Sequence, residues 1–314
     1  MNESVVDKRR TEDVEGPIFI TGAGGYLGSE LANSIDWTGK LFLLTRKRGG
    51  LDWIKPRRNV EVVVGDMCNL DFMIGIMKKI RPKIIYNFAA NIKLPEDGGQ
   101  DYDLLRNNIV SVVNLCEAVR FLDYDRLINI GSSSECIGNQ NKSEEKVPCD
   151  HYGFSKLVMM NLIINEYYLY CKNNLSLRLF YTYGGYIKDQ HDILRWIYGE
   201  IMRGGEIRFM EMERDFVAID DLIRALKAVA LSKFSGLNGQ IIDIGTGRSS
   251  KISAMIDKVV ELTGVKIKKI ITSESPYVWV ANTKKAKELL GWVARLTIHQ
   301  GTTKYLEVIR GQGA

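Results

Sequence analysis

A glycine-rich loop that directly follows a short apolar run is the feature that most constrains how this chain can fold. Residues 18–21 read Ile-Phe-Ile-Thr, which predicts a buried strand, and a helical stretch begins after the loop. Gly22, Gly25 and Gly28 stand between them. Gly22 lets the chain turn, Gly25 lets the backbone approach a pyrophosphate, and Gly28 lets helix and strand pack closely. The loop therefore predicts a dinucleotide-binding unit whose phosphates meet the free N–H groups of the helix N-terminus.

Short apolar runs and helical patterns alternate along the first 180 residues. We predict further strands at 41–44, 60–64, 84–88, 127–130 and 175–179, separated by helices at 29–35, 70–80, 103–122 and 152–170. Such alternation implies an α/β fold with a Rossmann-type doubly wound parallel sheet. Beyond residue 181 the pattern loosens into strands near 207–209 and 241–244, an apolar run at 266–271, and helices at 192–203, 219–232, 251–263, 283–290 and 297–309. We expect this part to form a smaller α/β C-terminal lobe.

Composition and charge exclude several functional classes. Lys and Arg number 43 against 38 Asp and Glu, a net charge of +5 without the basic stripe of a nucleic-acid-binding protein. The five cysteines form no Cys-x-x-Cys pair and the three histidines lie far apart, so no metal site is expected. Scattered cysteines fit a reducing compartment, and no apolar run approaches the ~18 residues that span a bilayer. We expect a cytoplasmic protein that binds neither nucleic acid nor membranes, with a disordered tail at 1–15.

The end of the second predicted strand discriminates between the two nicotinamide dinucleotides. In such folds an acidic residue here binds the 2′-hydroxyl of NAD, whereas an arginine accommodates the 2′-phosphate of NADP. The strand continues into Thr45, Arg46, Lys47 and Arg48 and offers no carboxylate. Because a guanidinium fork suits a dianionic phosphate, we expect NADP(H), with Arg46 as the main contact and the next two cations either assisting it or merely solvated. Asp66, after the third strand, is placed to hydrogen-bond the adenine.

A tyrosine and a lysine four residues apart supply candidate acid–base chemistry. Tyr152 and Lys156 open the long helix predicted after the fifth strand, and their spacing puts both on one helix face. A nearby cation lowers the pKa of a phenol, which lets the phenol act as acid or base closer to neutrality. The same spacing at Tyr168 and Lys172 falls at the end of the helix, where a solvated last turn is the better interpretation.

Three serines and a glutamate follow the fifth predicted strand, at the sheet edge where ligands of open α/β sheets bind. Residues 131–135 read Gly-Ser-Ser-Ser-Glu. A serine hydroxyl here can bond a reacting oxygen and help to position the tyrosine, although serines in this place also serve as simple loop or helix caps. With the glycine loop upstream, we predict a catalytic set that combines a serine with Tyr152 and Lys156.

Together these residues resemble the extended short-chain dehydrogenase/reductase family, and within it the nucleotide-sugar-modifying branch of epimerases and dehydratases. The resemblance runs from Phe19 to about Tyr305. Its marks are the glycine loop, Gly65-Asp66, Phe88-Ala89-Ala90, Asn108, Ser133, Tyr152-x-x-x-Lys156, Arg214-Asp215-Phe216 with Asp220-Asp221, Ile244-Gly245-Thr246-Gly247 and Leu290-Gly291-Trp292. It implies an NADP-binding Rossmann domain at 16–180 plus 214–245 and a nucleotide-sugar-binding lobe at 181–213 plus 246–314.

The resemblance also implies residue roles. Tyr152 would exchange a proton with a sugar oxygen, Lys156 would hold the nicotinamide ribose and lower the tyrosine pKa, and Ser133 would bond the same oxygen. Arg214 would grip the substrate diphosphate, or else serve as a structural arginine. The remaining substrate contacts would be Asn91, Ser134 and Tyr181. The cofactor contacts would be Gly22, Gly25, Tyr26, Leu27, Gly28, Arg46, Lys47, Asp66, Met67, Ala89, Ala90, Asn108, Tyr152, Lys156 and Phe180.

The sequence defines the quaternary structure and the sugar of the substrate less closely than it defines the fold. Family members commonly form homodimers through the two long helices, here 103–122 and 152–170. Tyr181 and Gly185 stand where the family usually has Asn and Pro, and both lie around the expected substrate pocket. These departures leave the identity of the nucleotide sugar open.

Two features bear on the reaction. Thr45-Arg46 and the segment 280–284 resemble NADPH-dependent reductases of 4-keto-6-deoxy nucleotide sugars, of the CDP-abequose synthase type. Residues 133–135 instead resemble the Thr-Ser-Glu of GDP-mannose dehydratases and UDP-glucuronate decarboxylases, whose glutamate removes the C5 proton; Glu135 is thus a candidate base. Our first expectation is a 4-keto reductase of deoxysugar biosynthesis. The alternatives are an epimerase, dehydratase or decarboxylase and, from another class, a non-catalytic NADP(H) sensor or scaffold.

Overall fold

The computed structural model describes residues 16–47, 51–92, 101–136, 148, 150–186 and 192–312; the expected tail at 1–15 and Arg48 lie outside these ranges. The strands are β1 (Ile18–Thr21), β2 (Leu41–Thr45), β3 (Val60–Val64), β4 (Ile84–Asn87), β5 (Arg126–Ser132), β6 (Asn174–Leu179), β7 (Tyr181–Tyr183), β8 (Gly205–Arg214), β9 (Phe216–Ala218), β10 (Ile241–Ile244), β11 (Ser250–Lys251) and β12 (Ile267–Trp279). The helices are α1 (Tyr26–Ser34), α2 (Leu70–Ile80), α3 (Asp101–Val119), α4 (His151–Tyr170), α5 (Ile193–Arg203), α6 (Ile219–Leu231), α7 (Ile252–Thr263), α8 (Lys284–Leu290) and α9 (Ile298–Gly311).

Seven strands form one sheet in the order β10-β6-β5-β4-β1-β2-β3. Every neighbouring pair is parallel, and the strand order runs outward from β1 in both directions. The winding therefore reverses between β3 and β4, and the carboxyl ends of β1 and β4 lie side by side at that switch. Ligands of open α/β sheets bind at such a switch point. The predicted Rossmann-type doubly wound parallel sheet is confirmed.

Helices cover both faces of this sheet because successive residues of a strand point to opposite sides. In β1, Ile18 and Ile20 belong to the apolar core that includes α1 and α6, whereas Phe19 belongs to the core that includes α2, α3 and α4. None of the three side chains has any exposed surface. The first core continues through Ile207 of β8 and Trp292 into the C-terminal lobe, which is therefore packed directly on the sheet.

The C-terminal lobe is built around a small sheet. Strand β8 is its centre, with β12 parallel on one side and β11 antiparallel on the other. The short strands β7 and β9 form a separate parallel pair. Helix α9 begins with a capping box in which Thr297 and Gln300 satisfy each other's backbone N–H groups. The smaller α/β lobe is as expected, while the proposed residue boundaries of the two domains stay predictions.

Several elements depart from the sequence prediction at their boundaries. Helix α1 begins at Tyr26 rather than Ser29, because Gly25 is its N-cap and the glycine loop itself enters the helix. Strands β8 and β12 extend well beyond the apolar runs near 207–209 and 266–271. The sequence pattern missed these extensions because many of the remaining residues are polar and exposed. Strands β7, β9 and β11 were not predicted, since two or three residues are too few to show a pattern.

The described helices also bear on the expected lack of membrane contact. None of the helices in the described part of the chain is long and apolar enough to cross a bilayer. The cytoplasmic location stays a prediction.

Candidate functional site

A cavity of about 940 Å³ opens at the carboxyl edge of the sheet, beside the switch point between β1 and β4. This volume lies within the range of about 300–1,000 Å³ that is typical of ligand pockets. Its walls come from the glycine loop, from the turns after β2, β3 and β4, and from α3. The lining residues are Gly22, Gly24, Gly25, Leu44, Thr45, Arg46, Lys47, Gly65, Asp66, Met67, Cys68, Phe88, Ala89, Ala90, Asn91, Asn107, Asn108 and Ser111.

The three glycines of the loop are needed for different reasons. Gly22 has a φ of +64°, and a Cβ there would lie 2.7 Å from the backbone nitrogen of Ala89. A Cβ on Gly28 would lie 2.4 Å from the carbonyl oxygen of Gly22. At Gly25 a Cβ would meet only that same carbonyl, at 3.3 Å. Packing within the protein thus explains Gly22 and Gly28, whereas the open side of Gly25 leaves space for a ligand.

The end of the cavity near β2 is cationic. Arg46 and Lys47 are exposed at its rim. Asp66 is the only carboxylate among the lining residues, and its Oδ1 accepts the backbone N–H of Cys68 at 2.9 Å. Burial and Asp66 raise the pKa of the Cys68 thiol, whereas the charges of Arg106 and Arg46 lower it. Arg106 of α3, which was not predicted, is therefore a further cation close to this end of the cavity.

A buried amide fixes the turn after β4. Asn108 of α3 has no exposed surface. Its side-chain amide accepts the backbone N–H of Asn91 at 2.6 Å and donates to the backbone carbonyl of Asn91 at 3.1 Å. The same amide donates to the Ser155 hydroxyl at 2.8 Å, and that hydroxyl donates to the carbonyl of Tyr152 at 2.8 Å. Asn108 therefore joins the wall of the cavity to the first turn of α4.

A row of buried polar side chains crosses the sheet at the level of the strand ends. The Thr21 hydroxyl donates to Asn87 at 2.7 Å, Asn87 donates to Asn129 at 3.0 Å, and Asn129 donates to Ser176 at 3.1 Å. The Thr21 hydroxyl also accepts the N–H of Ala89 at 3.1 Å. Because each group finds a partner, the row can lie in the core and still tie β1 and β4, whose loops line the cavity, to β5 and β6.

The predicted tyrosine and lysine lie together with a serine at the start of α4. Lys156 is 3% exposed and donates to the carbonyl of Ile130 at 2.5 Å. The Tyr152 phenol is hydrogen-bonded to the hydroxyl of Ser132. That serine precedes Ser133, the residue expected to fill this place. Ser133 and Ser134 are half-buried in the 3₁₀ turn that follows β5.

Burial controls the ionisation of this pair. Burial raises the pKa of Tyr152 to about 12, although its hydrogen bond with Ser132 acts in the opposite direction. Burial also lowers the pKa of Lys156 to about 8, an effect that the nearby carboxylate of Glu135 partly offsets. The expected fall in the tyrosine pKa is not found in this structure, because desolvation of the phenolate outweighs the hydrogen bond with Ser132, and the charges of Glu135 and Asp150 add to the rise. At neutral pH the phenol keeps its proton.

Glu135, the candidate base, is enclosed by protein. Its side chain has no exposed surface and does not line the cavity. One carboxylate oxygen accepts the backbone N–H of Ser132 at 2.8 Å, and the other accepts from Nε of Arg178 at 3.2 Å. This geometry gives no support to the expectation that Glu135 removes a proton from a substrate.

The expected substrate residues fall into two groups. Asn91 lines the cavity, whereas Tyr181 and Arg214 lie close enough for the arginine charge to lower the tyrosine's otherwise raised pKa. Arg214 is 7% exposed, stacks 4.0 Å from the ring centre of Trp279 and donates to the Ser275 hydroxyl at 2.8 Å. The strand pair β8–β12 therefore holds this arginine structurally, and its grip on a diphosphate stays a prediction.

The expected cofactor residues separate by position. Those that line the cavity are Gly22, Gly25, Arg46, Lys47, Asp66, Met67, Ala89, Ala90 and Asn108. Those that do not are Tyr26, Leu27, Gly28, Tyr152, Lys156 and Phe180. The Tyr26 hydroxyl donates to the carbonyl of Gly184, and Phe180 is 9% exposed.

Several lining residues were missed. They are Gly24, Leu44, Thr45, Gly65, Cys68, Phe88, Asn107 and Ser111. Most of them flank a predicted residue at the same strand end, so extending each strand-end pattern by one residue finds them. Asn107 and Ser111 depend on the rotation of α3 about its axis, which the sequence pattern does not fix.

Comparison with known proteins gives one family and one fold. A family model described as the NAD dependent epimerase/dehydratase family matches residues 18–245. UDP-glucuronate 4-epimerase of Thermodesulfobacterium geofontis is 24% identical over 91% of this chain and 94% of its own length. CDP-abequose synthase of Yersinia pseudotuberculosis is 23% identical over 76% of this chain and 82% of its own. Among solved structures, UDP-glucuronic acid 4-epimerase of Bacillus cereus in complex with UDP-glucuronic acid and NAD has a TM-score of 0.81 at 22% identity, covering 94% of this chain and 99% of that one.

Proposed function

The chain belongs to the NAD dependent epimerase/dehydratase family, and from this premise we propose that it is an enzyme that modifies a nucleotide-diphosphate sugar with a nicotinamide dinucleotide. The family match bears out the resemblance to extended short-chain dehydrogenases/reductases. The proposal is supported by the cavity at the switch point and by the Tyr152–Lys156 pair, which Asn108 joins to the cavity wall. Relatives named UDP-glucuronate 4-epimerase and CDP-abequose synthase point to the same class of substrate.

The cofactor in this proposal is NADP(H), and the residues of the cavity fit it. The open side of Gly25 leaves room for a pyrophosphate at the N-terminus of α1, which has no acidic residue in its first turn. Arg46 and Lys47 supply positive charge for a 2′-phosphate at the end of β2. Asp66 would hydrogen-bond the adenine, while Met67 and its neighbours supply apolar walls. The cationic end of β2 is the observation that favours NADP(H) over NAD(H).

Reduction of a sugar carbonyl is the reaction that the ionisation of the site supports best. A nicotinamide, when bound, would supply a hydride to the carbonyl carbon of the sugar. Tyr152 would donate a proton to the carbonyl oxygen. Burial keeps that phenol protonated below a pKa of about 12, which suits a donor. The Lys156 ammonium would then stabilise the negative charge left on the tyrosine, and a hydroxyl of Ser132 or Ser133 would hold the reacting oxygen.

The substrate we propose is a 4-keto-6-deoxy nucleotide sugar. A net reduction uses a protonated donor and NADPH, and both agree with the site. Asn91 and Ser134 would contact the sugar, while Tyr181 and Arg214 would contact the diphosphate. The similarity to a protein named CDP-abequose synthase supports this substrate class.

The test is consumption of NADPH. The protein is incubated with NADPH and a 4-keto-6-deoxy nucleotide sugar, and the absorbance of the reduced nicotinamide is followed. We expect a stoichiometric fall, with little or no fall when NADH replaces NADPH. Omission of the sugar is the control. No fall with either dinucleotide contradicts the reductase proposal.

Epimerisation at C4 of a nucleotide sugar is the second candidate, and the names of relatives favour it. The curated relative and the solved structure quoted above are both 4-epimerases of a UDP-glucuronate substrate. Incubation with an oxidised dinucleotide and UDP-glucuronic acid would then yield a second UDP-sugar without net change in nicotinamide absorbance. Dehydration or decarboxylation through Glu135 is less favoured, because that carboxylate is enclosed.

We also propose a homodimer formed through α3 and α4. Both helices carry large apolar side chains that are exposed in the single chain, and contiguous exposed apolar surface marks interaction sites. Those that are exposed are Tyr102, Val113, Phe154, Tyr168, Leu169 and Tyr170. Helices α3 and α4 pack against each other, so these residues can contribute to one surface.

A further inference from the structure

Glu135 lies in a buried site, here called the seat, that Gly131, Ser132 and Arg178 form. The carboxylate accepts from the Ser132 backbone and from Arg178, and its side chain is completely buried. Gly131 makes the seat possible, since a Cβ there would lie 2.4 Å from the Glu135 carboxylate oxygen Oε1. A glycine within a buried strand otherwise weakens the strand, and at Gly131 of β5 the absence of a side chain leaves room for the Glu135 carboxylate.

The seat continues as a chain of charges from the turn after β5 across the neighbouring strands β6 and β10. Arg178 of β6 donates to Glu135 on one side and, at 3.0 Å, to Asp243 of β10 on the other. The second oxygen of Asp243 accepts the backbone N–H of Asn282, at 3.1 Å, from the C-terminal lobe. Glu135, Arg178 and Asp243, here named the charge chain, therefore connect the end of β5 with the lobe.

The charge chain ends beside Tyr152 and Lys156 of α4. Glu135 raises the otherwise lowered pKa of Lys156 and adds to the raised pKa of Tyr152. The charged or titratable groups around Glu135 are thus Arg178 from β6, with Asp243 of β10 behind it, and the lysine and tyrosine from α4. Lys156 donates to the carbonyl of Ile130 at 2.5 Å, two residues before the Ser132 N–H that Glu135 accepts, so both side chains are attached to the same end of β5.

We propose that the charge chain holds the end of β5 and the Lys156 ammonium in place relative to the C-terminal lobe. Glu135 is accordingly a positioning residue and not a base that removes a proton from the sugar. The inference rests on the proposed function only in taking Lys156 as the catalytic lysine. It narrows that function, because it removes the residue on which dehydration or decarboxylation would depend.

The first test needs neither cofactor nor substrate. The titration of Lys156 is followed by NMR of its ¹³Cε resonance, assigned by comparison with the Lys156→Arg variant. Removing the negative charge in Glu135→Gln should lower the midpoint by about one pH unit, since a nearby opposite charge favours the ammonium. Asp243→Asn should lower it in the same direction by less, and the double variant should shift by less than the sum. Asp257→Asn, at an exposed pair with Lys269, is the matched control and should not shift it.

A second variant keeps the negative charge of Glu135 but displaces its carboxylate. Gly131→Ala places a methyl group where the carboxylate of Glu135 sits and 3.2 Å from the carbonyl oxygen of Leu177, and the end of the flexible glutamate side chain can shift to make room. We expect the Lys156 midpoint to fall in this variant as well. An unchanged midpoint in both Glu135→Gln and Gly131→Ala overturns the proposal.

Turnover separates the positioning role from the base role. A base role predicts that Glu135→Gln loses about 10²–10⁴-fold in kcat while Asp243→Asn leaves kcat unchanged. The Lys156 midpoint falls in Glu135→Gln under either role, since the same charge is removed. A positioning role predicts that both variants lower kcat together and that the effects are not additive. If the wild-type protein turns over no nucleotide sugar, the proposed function fails while the NMR titration still tests whether the charge chain is coupled to Lys156.

Discussion

At the scale of single residues, burial decides the chemistry of the candidate site. Tyr152 and Lys156 are recognisable from spacing alone, but spacing predicts a phenol with a lowered pKa. The buried surroundings raise the phenol pKa to about 12 and lower the lysine pKa to about 8. The pair is therefore suited to donating a proton at neutral pH, and this is the physical reason for preferring reduction.

Replacing the proposed proton donor is the sharpest test at this scale. Tyr152→Phe should lower kcat by about 10²–10⁴-fold, because the variant lacks the acid in the transition state. NADPH affinity, measured by nicotinamide fluorescence, should stay within a few-fold of wild type. A non-catalytic sensor or scaffold predicts instead that this substitution leaves biological output intact.

The cofactor preference depends on Arg46. Arg46→Ala should weaken NADPH binding by about 10- to 100-fold, the value of a charge-assisted contact, and leave NADH binding nearly unchanged. Isothermal calorimetry with both dinucleotides measures this. Arg58→Ala is the matched control, because Arg58 is an exposed arginine that does not line the cavity. Equal weakening for both dinucleotides would count against a 2′-phosphate site.

At the scale of elements, the glycine loop combines a folding role and a binding role. Gly22→Ala should destabilise the protein by more than ~1 kcal/mol in urea unfolding, because φ is +64° and the added Cβ would overlap the backbone of Ala89. Gly25→Ala should keep most of the stability and instead weaken NADPH binding. Gly75→Ala, in an exposed turn of α2 with open space around it, should stabilise by about 0.5–1 kcal/mol. Equal loss of stability at Gly22 and Gly25 contradicts the separation of roles.

The elements also show where sequence patterns succeed and where they fail. The central strands are buried on both sides, so their apolar runs stand out and β1 to β6 were found within a residue or two. Strand β12 was recognised only near 266–271, because most of its later residues are exposed and its pairing with β8 contains register shifts. Helix α1 begins three residues before the predicted start at Ser29, because Gly25 serves as its N-cap without a side chain.

At the scale of the whole molecule, the sheet and the lobe share one apolar core. That core runs from Ile18 of β1 through Ile207 of β8 to Trp292 and is completely or nearly completely buried at each. The charge chain crosses the same boundary by polar contacts. The lobe is therefore packed on the sheet by both apolar and polar contacts.

The proposed dimer gives a prediction at this scale. Val113→Asp, on the exposed face of α3, should convert a dimer to monomers, because a buried unpaired carboxylate is costly in an interface. Sedimentation velocity of wild type and variant measures this. Phe234→Asp, an exposed apolar residue outside α3 and α4, is the control and should remain dimeric. A monomeric wild-type protein would disprove the dimer.

The sequence by itself determined the alternation of strands and helices, the glycine loop and the Tyr152–Lys156 spacing, because each depends on residues close together in the chain. Only the tertiary structure shows that the Ser132 hydroxyl is hydrogen-bonded to the tyrosine and that Glu135 faces Arg178. These outcomes depend on which side chains are desolvated and on strands that are distant in sequence but adjacent in the sheet. Local patterns carry the fold, whereas burial and cross-strand contacts set the charge states on which the chemistry depends.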